Sequence, residues 1–207
     1  MQEFDRQNAA QRGTQILHPG SRALFRYWES IRAERPCPAR SNINLRAIVE
    51  ILPDLVILEK DTFNTHWHYR LAGTRVCAFF KGEVTGSDVL AEWEPFEREV
   101  ITKTLDMTYN KLQPSLARMR FITDGGFTTA AELIGLPVTC TQSNTTQILG
   151  GLFLFVSHDG NCEGSIIRRE LISTRMIWTE HEQASQLFDQ LGYKASHFLR
   201  LIQGGLT

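Results

Sequence analysis

The middle of the chain changes from helical to alternating hydrophobic spacing, and this change restricts what the chain can fold into. Met119 and Phe121 alternate with Arg118 and Arg120, which places the two kinds of side chain on opposite faces of a strand. An Asp-Gly-Gly sequence separates this run from a second alternating run at 127–138. Two alternating runs around such a turn predict a β-hairpin and therefore an antiparallel sheet.

Helical spacing dominates the segments before this hairpin. Ser21 is expected to cap the first helix and Pro36 to end it, and Pro95 suits the first turn of the longest one. The expected elements around the hairpin are helices at 21–35, 45–52, 74–80 and 95–112, and strands at 55–58, 66–71 and 148–156. Helices that interrupt an antiparallel sheet predict an α+β fold.

The chain is predicted to have three parts. Residues 1–20 are polar, lack the apolar core of a secretory signal, and are expected to be a mobile leader. Residues 21–158 form the main domain, with the helix at 21–35 flanking it. Residues 159–207 form a C-terminal extension, and Thr179 and Glu182 suit a capping box for a final helix at 180–203.

Composition argues against nucleic acid and membrane as partners. The 207 residues carry a net charge of -1, so no field of the whole chain attracts polyanions. The longest basic run, Arg168-Arg169, is expected to be solvated surface. Apolar segments fall short of the roughly 18 residues that span a bilayer, and the four cysteines form no CxxC pair. A cytoplasmic protein with reduced thiols is predicted.

Residues 66–80, HWHYRLAGTRVCAFF, are expected to join a strand to a short helix. Alternation divides the strand between two faces, with His66, His68 and Arg70 on one and Trp67, Tyr69 and Leu71 on the other. Gly73 lets the strand turn sharply and Thr74 is expected to cap the helix. Arg70 is expected to pair with an acid such as Glu83, although a ligand carboxylate also suits its guanidinium.

The block Tyr69-Arg70-Leu71-Ala72-Gly73-Thr74, followed by Gly82-Glu83-Val84-Thr85-Gly86, resembles a PAS domain. More narrowly, it is similar to the single-PAS-domain proteins common in alphaproteobacteria. The stretches PARSNINLRAIVEILPDLVILE and ILGGLFLF support the resemblance, which covers roughly residues 21–158. The family motif comprises residues with an expected structural role: Tyr69, Arg70, Gly73, Thr74, Gly82, Thr85 and Gly86.

The resemblance implies a five-stranded antiparallel sheet with short helices on one face and flanking N- and C-terminal helices. The sheet and helices would enclose either a pocket or a dense core, and the sequence does not separate the two. The residues that would line such a pocket are Trp67, Tyr69, Arg70, Phe80, Trp93, Met107, Phe121 and Phe153. PAS domains act as sensors or docking modules and are not usually enzymes, so the resemblance implies no catalytic residue.

Metal and cofactor sites have weak support in the sequence. His66 and His68 share a strand face and could ligate one metal, but a site needs further ligands. The residues around Cys77 do not include the asparagine and glutamine of the motif in which flavin photosensors carry their adduct-forming cysteine. Cys77 is therefore expected to be a buried structural thiol. The helix at 95–112 contains no histidine, which disfavours the haem ligation common in PAS sensors, although a strand histidine remains an option.

The leading interpretation is a cytoplasmic sensory or regulatory PAS protein without its own output domain. It would bind a small, largely apolar ligand or a protein partner and signal through altered contacts. A ligand-free interaction module is the alternative, and a metal or haem sensor that uses His66 and His68 is a third. The helices at 21–35 and 180–203 are expected either to form a homodimer or to pack on their own sheet, because a short helix needs its apolar face buried.

Overall fold

A six-stranded antiparallel sheet carries the fold in the computed structural model, which describes residues 16–61, 66–140, 145–155 and 164–177. The strands are β1 Leu55–Lys60, β2 Trp67–Ala72, β3 Ser115–Thr123, β4 Thr128–Cys140, β5 Thr145–Phe155 and β6 Ile166–Met176. Their spatial order is β2-β1-β5-β4-β3-β6. The predicted α+β class and antiparallel sheet are confirmed. The expectation of five strands is wrong, because β6 pairs with β3 and extends the sheet.

Among the described residues, three α-helices and two 3-10 helices accompany the sheet. They are α1 Pro19–Arg32, α2 Thr74–Phe79 and α3 Pro95–Lys111, with 3-10 helices at Arg40–Asn42 and Leu45–Asp54. Helix α3 agrees with its prediction to within a residue. Helix α1 begins before the expected cap Ser21, because the His18 side chain accepts a hydrogen bond from the Gly20 N–H and Pro19 suits the first turn.

The helices lie on both faces of the sheet. Val76 of α2 and Ile101 and Leu105 of α3 pack in one core cluster with inward side chains of β1, β3, β4 and β5. Helix α1 packs against the other face, over β4 and β5. Its Trp28 is fully buried and donates its indole N–H to the Pro137 carbonyl at 2.8 Å. The apolar face of α1 therefore covers its own sheet, which is the second of the two predicted arrangements.

Bulges shift the inward and outward alternation of two strands. Between β1 and β2 the register passes from Ile57↔Leu71 to Leu58↔Tyr69 and leaves Arg70 as the extra residue. Between β3 and β6 the extra residues are Ile167 and Ile172, and both are exposed. The prediction that Leu71 shares a face with Tyr69 is wrong, because a bulge reverses the phase of the residues that follow it.

A buried carboxylate joins the segment before α1 to the centre of the sheet. Glu132 of β4 is fully buried, and its two oxygens accept the backbone N–H groups of Leu17 and His18 at 3.0 and 2.8 Å. The Arg118 guanidinium of β3 donates to it at 3.1 Å. The charge is therefore compensated in place, as burial of a carboxylate requires.

Several predictions fall outside the described residues. These are residues 1–15 of the leader and residues 159–163 and 178–207 of the extension, which include the helix at 180–203. The chain divides into two compact units, 1–176 and 177–207, and every described element lies in the first. The predicted division at 158, like the homodimer, stays a prediction. Within the described part of the chain, no helix is long and apolar enough to cross a membrane.

Replacing Glu132 with alanine is expected to destabilise the fold strongly. The change removes the acceptor of two backbone N–H groups and the charge partner of Arg118, which costs about 3–5 kcal/mol for a buried pair. Chemical denaturation monitored by tryptophan fluorescence measures the loss. Glu99→Ala is the control, since Glu99 is exposed and pairs only locally with Lys103 in α3. Equal midpoints for the two variants would contradict the assigned role of Glu132.

Stability is expected to fall on mild acidification through His18. Burial lowers the pKa of His18 from its ordinary value of 6.5, although the Glu132 charge opposes this. The unfolded chain then binds a proton at His18 at a higher pH than the folded chain, so the free energy of unfolding decreases as the pH falls below 6.5.

The variant His18→Asn separates the effect of His18 protonation on stability from the effects of the other titrating groups. Asparagine is a good N-cap and does not titrate, so the variant should lose less stability than wild type between about pH 7 and about pH 5. Denaturation midpoints at several pH values provide the comparison. Parallel pH profiles for the two proteins would show that His18 contributes nothing to the acid sensitivity.

Candidate functional site

A small inner cavity lies between the inner face of the sheet and the helices. Its volume is about 30 Å³, which is room for about two water molecules. The wall is mainly apolar and is formed by Val56, Leu58, Val89, Trp93, Ile101, Met119, Phe121, Leu133 and Leu152, with Tyr69, Phe80 and Arg169 completing it. The inner face of this domain is therefore almost filled by its own side chains.

A larger groove adjoins this cavity on its outer side. The groove has a volume of about 270 Å³, close to the lower end of the range of roughly 300–1,000 Å³ for small-molecule sites. Its lining mixes apolar, polar and charged side chains: Phe79, Lys81, Val84, Ser87, Asp88, Ala91, Glu92, Ser165 and Ile166, with Tyr69, Phe80 and Arg169 again. The groove thus offers aromatic surface together with charges of both signs.

Tyr69, Phe80 and Arg169 border both spaces and form the wall between them. Arg169 lies on β6 opposite Phe121 in the β3 register, so its side chain points inward. Its guanidinium carbon lies 5.2 Å from the Phe80 ring centroid, within the range of a cation–π contact. The guanidinium also pairs with the carboxylate of Glu92 at the groove.

Phe80 belongs to a group of aromatic rings centred on Phe121. The rings of Phe79, Phe80 and Trp93 meet Phe121 edge to face, with centroids 5.0, 6.0 and 6.4 Å away. Such geometry is favourable beyond the area that it buries. The inner side of the wall is therefore held by packing among residues from α2, β3 and the segment before α3.

The loop that borders the groove is hydrogen-bonded to β2. The Tyr69 N–H donates to the Ser87 carbonyl at 3.0 Å, and the Gly86 N–H donates to the Tyr69 carbonyl at 2.7 Å. Gly86 has a φ of +85°, a conformation that glycine adopts without strain. The Glu83 carboxylate accepts the Thr85 N–H at 2.8 Å and folds the same loop. These motif residues shape the backbone that positions Tyr69.

The strand-to-helix corner depends on a close approach of two backbones. A Cβ atom on Gly73 would lie 2.3 Å from the Pro53 carbonyl oxygen, so only glycine fits without a shift. Gly73 also occupies the N-cap position of α2, and Thr74 is the first helical residue. The prediction that Thr74 caps this helix is therefore wrong by one position.

Four of the eight predicted pocket residues border the inner cavity: Tyr69, Phe80, Trp93 and Phe121. The other four lie elsewhere. Trp67 is buried and donates its indole N–H to Asp106 at 3.1 Å, Met107 is exposed, and Phe153 stacks on His18 beneath α1. Arg70 is the exposed bulge residue of β2.

Arg70 pairs with an acid as predicted, but the acid is not Glu83. Its guanidinium lies 3.6 Å from the carboxylate of Glu59 in the neighbouring strand β1.

Arg169 is the site residue that sequence reasoning missed. The pair Arg168-Arg169 was expected to be solvated, and this holds for Arg168, whose side chain is 69% exposed, but not for Arg169 at 12%. Neighbouring strand residues point to opposite faces, so one arginine of the pair had to face inward if 166–172 formed a strand. Arg169 and the partly buried Leu171 are two residues apart and therefore share a face of β6. This spacing could have identified Arg169 as an inward residue.

The two candidate metal ligands have different partners. The His66 ring lies 3.7 Å from the Asp88 carboxylate and the His68 ring 3.6 Å from that of Glu59. Among the described residues there is no group of three or more His, Cys, Asp or Glu side chains that could hold a metal ion. Cys77, expected to be buried, is half-buried and its thiol contacts Glu83. It borders neither space.

The Tyr69 hydroxyl is expected to resist ionisation. Burial raises its pKa to about 12, with Arg169 opposing the shift and Asp88 adding to it. Ultraviolet absorbance titration of wild type and Tyr69→Phe should therefore give no phenolate difference near pH 10, where an ordinary tyrosine is half-ionised. A phenolate difference already present at that pH would contradict the buried position of the hydroxyl.

Comparison with known proteins agrees with this architecture. The family model described as PAS domain matches residues 16–153, which run from the segment before α1 to near the end of β5. Strand β6 and its Arg169 lie outside the matched residues. A search of the curated proteins gives no match. Since the match covers two thirds of the 207 residues, the chain belongs to the PAS domain family.

Proposed function

We propose that this chain is a sensory or regulatory PAS protein that binds a small, largely apolar molecule in the groove beside Tyr69, Phe80 and Arg169. The family indicates a sensory or regulatory role in general, and PAS domains are typically not catalytic. The observation that carries the ligand proposal is the groove of about 270 Å³, which shares three lining residues with the inner cavity.

The inner cavity supports this proposal by its position. A ligand in the groove that displaces Phe80 would gain access to an apolar wall formed by residues such as Met119 and Leu152. Burying apolar ligand surface there contributes about 25 cal/mol per Å². The groove adds polar groups that can orient a ligand beside this apolar wall.

A change in the conformation of the wall formed by Tyr69, Phe80 and Arg169 would affect several elements of the fold at once. Phe80 follows α2, Glu92 precedes α3, and Arg169 belongs to β6. The Leu171 N–H of β6 donates to the Glu97 carboxylate of α3 at 2.8 Å, so β6 and α3 are directly connected. We propose that ligand binding moves these elements slightly and alters contacts with a partner protein or a second copy of the chain.

A ligand-free interaction module is the second candidate. The small volume of the inner cavity, about 30 Å³, favours this candidate, because a filled core needs no ligand for stability. In that case the groove would be a surface depression that binds no ligand, and signalling would depend on protein contacts alone.

Blocking the groove distinguishes the two candidates. Ala91 is exposed and lines the groove, so Ala91→Trp should fill it without disturbing the core. We expect the neutral fluorophore N-phenylnaphthylamine to bind the full chain with enhanced fluorescence, and Ala91→Trp to weaken this binding by about tenfold or more. Fluorescence titration measures both affinities.

Ala78→Trp is the matched control for this titration. Ala78 is an exposed residue of α2 that does not line the groove, so the added indole should leave the affinity unchanged. If neither substitution weakens binding, the fluorophore binds elsewhere on the surface and not in the groove. That result, or no binding at all, would favour the ligand-free interaction module.

A further inference from the structure

We propose that the ligand of the groove carries a carboxylate, which Arg169 binds in place of Glu92. This inference rests on the proposed function and narrows its ligand to amphipathic acids, with an apolar body and one carboxylate. Strand β6 supplies Arg169 and lies outside the residues matched to the family, so the inference concerns a feature of this chain.

The position of Arg169 is unusual for a cation. Its side chain is 12% exposed, and it borders a cavity whose other walls are mainly apolar. A charge removed from water needs a counter-charge and hydrogen-bond acceptors. Among residues of the described ranges, the one ion pair of Arg169 is with Glu92.

The pair with Glu92 is open to exchange. The Glu92 side chain is 68% exposed, so its carboxylate regains water readily when it leaves the guanidinium. Pairs with an exposed partner contribute little to stability. A ligand carboxylate held in the groove could therefore replace Glu92 at small cost to the fold.

The guanidinium also has an unused donor. The Nε atom of Arg169 is buried and has no hydrogen-bond partner among the described residues. Leaving a buried donor unsatisfied is unfavourable. A planar carboxylate can accept from two donors of one guanidinium in parallel, which would use Nε as well as the terminal nitrogen now paired with Glu92.

The other charges of the groove set the preference for a single negative charge. Lys81 lines the groove and attracts an anion, whereas Asp88 repels one. The Asp88 carboxylate already accepts the Leu90 N–H at 2.8 Å. When Glu92 is displaced, the positive charges of Arg169 and Lys81 remain beside the negative charge of Asp88. One ligand carboxylate then balances the charges of the groove.

The apolar part of the ligand has a defined place. Phe80 contacts both the Arg169 guanidinium and the Phe121 ring. A carboxylate bound at Arg169 directs the remainder of the ligand along Tyr69 and Phe80, the two other residues of the shared wall. An aromatic or short aliphatic body fits this surface better than a sugar or nucleotide.

Competition between an acid and its neutral amide tests the inference. With N-phenylnaphthylamine bound to the full chain, phenylbutyrate should displace it at a concentration about tenfold or more below that of phenylbutyramide. Arg169→Met keeps an apolar stem against Phe80 and should abolish the preference for the acid. Arg168→Met is the matched control, since Arg168 is the exposed neighbour paired with Glu170, and should keep it.

A variant at Glu92 provides a test that does not require removal of Arg169. Glu92→Gln weakens the competing pair, so phenylbutyrate should bind several-fold more tightly while phenylbutyramide is unaffected. Because Glu92 is exposed, this variant should fold normally. It therefore keeps the inference testable even if Arg169→Met reduces stability.

The outcomes separate the inference from the proposed function. Equal displacement by acid and amide, or an acid preference that survives Arg169→Met, would overturn the carboxylate inference while leaving a groove that binds apolar molecules. Failure of both compounds to displace the fluorophore would overturn the inference as well. The response of the fluorophore to Ala91→Trp then decides the proposed function independently.

Discussion

The bulge at Ile167 is the constraint on which the candidate site depends. In the pairing of β6 with β3, Ile167 has no partner, so Ile166 lies opposite Thr123 and Arg169 opposite Phe121. The bulge keeps Ile166 and Arg169, three residues apart, on the inward side, where both line the groove. Without it, uninterrupted alternation would place the two side chains on opposite faces. One extra residue thus brings a cation and an apolar side chain to the same opening.

The central strands organise both faces of the sheet. On one face, Met119 and Phe121 of β3 line the inner cavity. On the other, Arg118 of β3 and Glu132 of β4 are a register pair, and Glu132 also accepts the two N–H groups before α1. The strand pair that anchors α1 outside is therefore the same pair that supports the aromatic rings inside, so local strain in one layer is expected to reach the other.

Much of the fold was predictable from hydrophobic period and turn chemistry. The hairpin around Asp124 and the long helix after Pro95 follow from signals within a few residues, and both are confirmed. The site was predictable only in part, because bulges depend on pairing between distant segments. The bulge at Arg70 reversed the face of Leu71, and assignment of Arg169 to the surface did not apply strand alternation to residues 166–172, which lie outside the family resemblance. Cavity size was beyond sequence reasoning, since it depends on how side chains from many elements meet.

The most direct test of this account is the nuclear magnetic resonance signal of the Arg169 Nε–H group during titration with phenylbutyrate. Arginine-labelled full chain gives one such signal per arginine, and Arg169→Met and Arg168→Met assign the two that matter. We predict a large, saturable shift for Arg169 and little change for the exposed Arg168. Saturable shifts elsewhere with Arg169 unchanged, or equal shifts for both arginines, would contradict the claim that Arg169 binds the ligand in the groove.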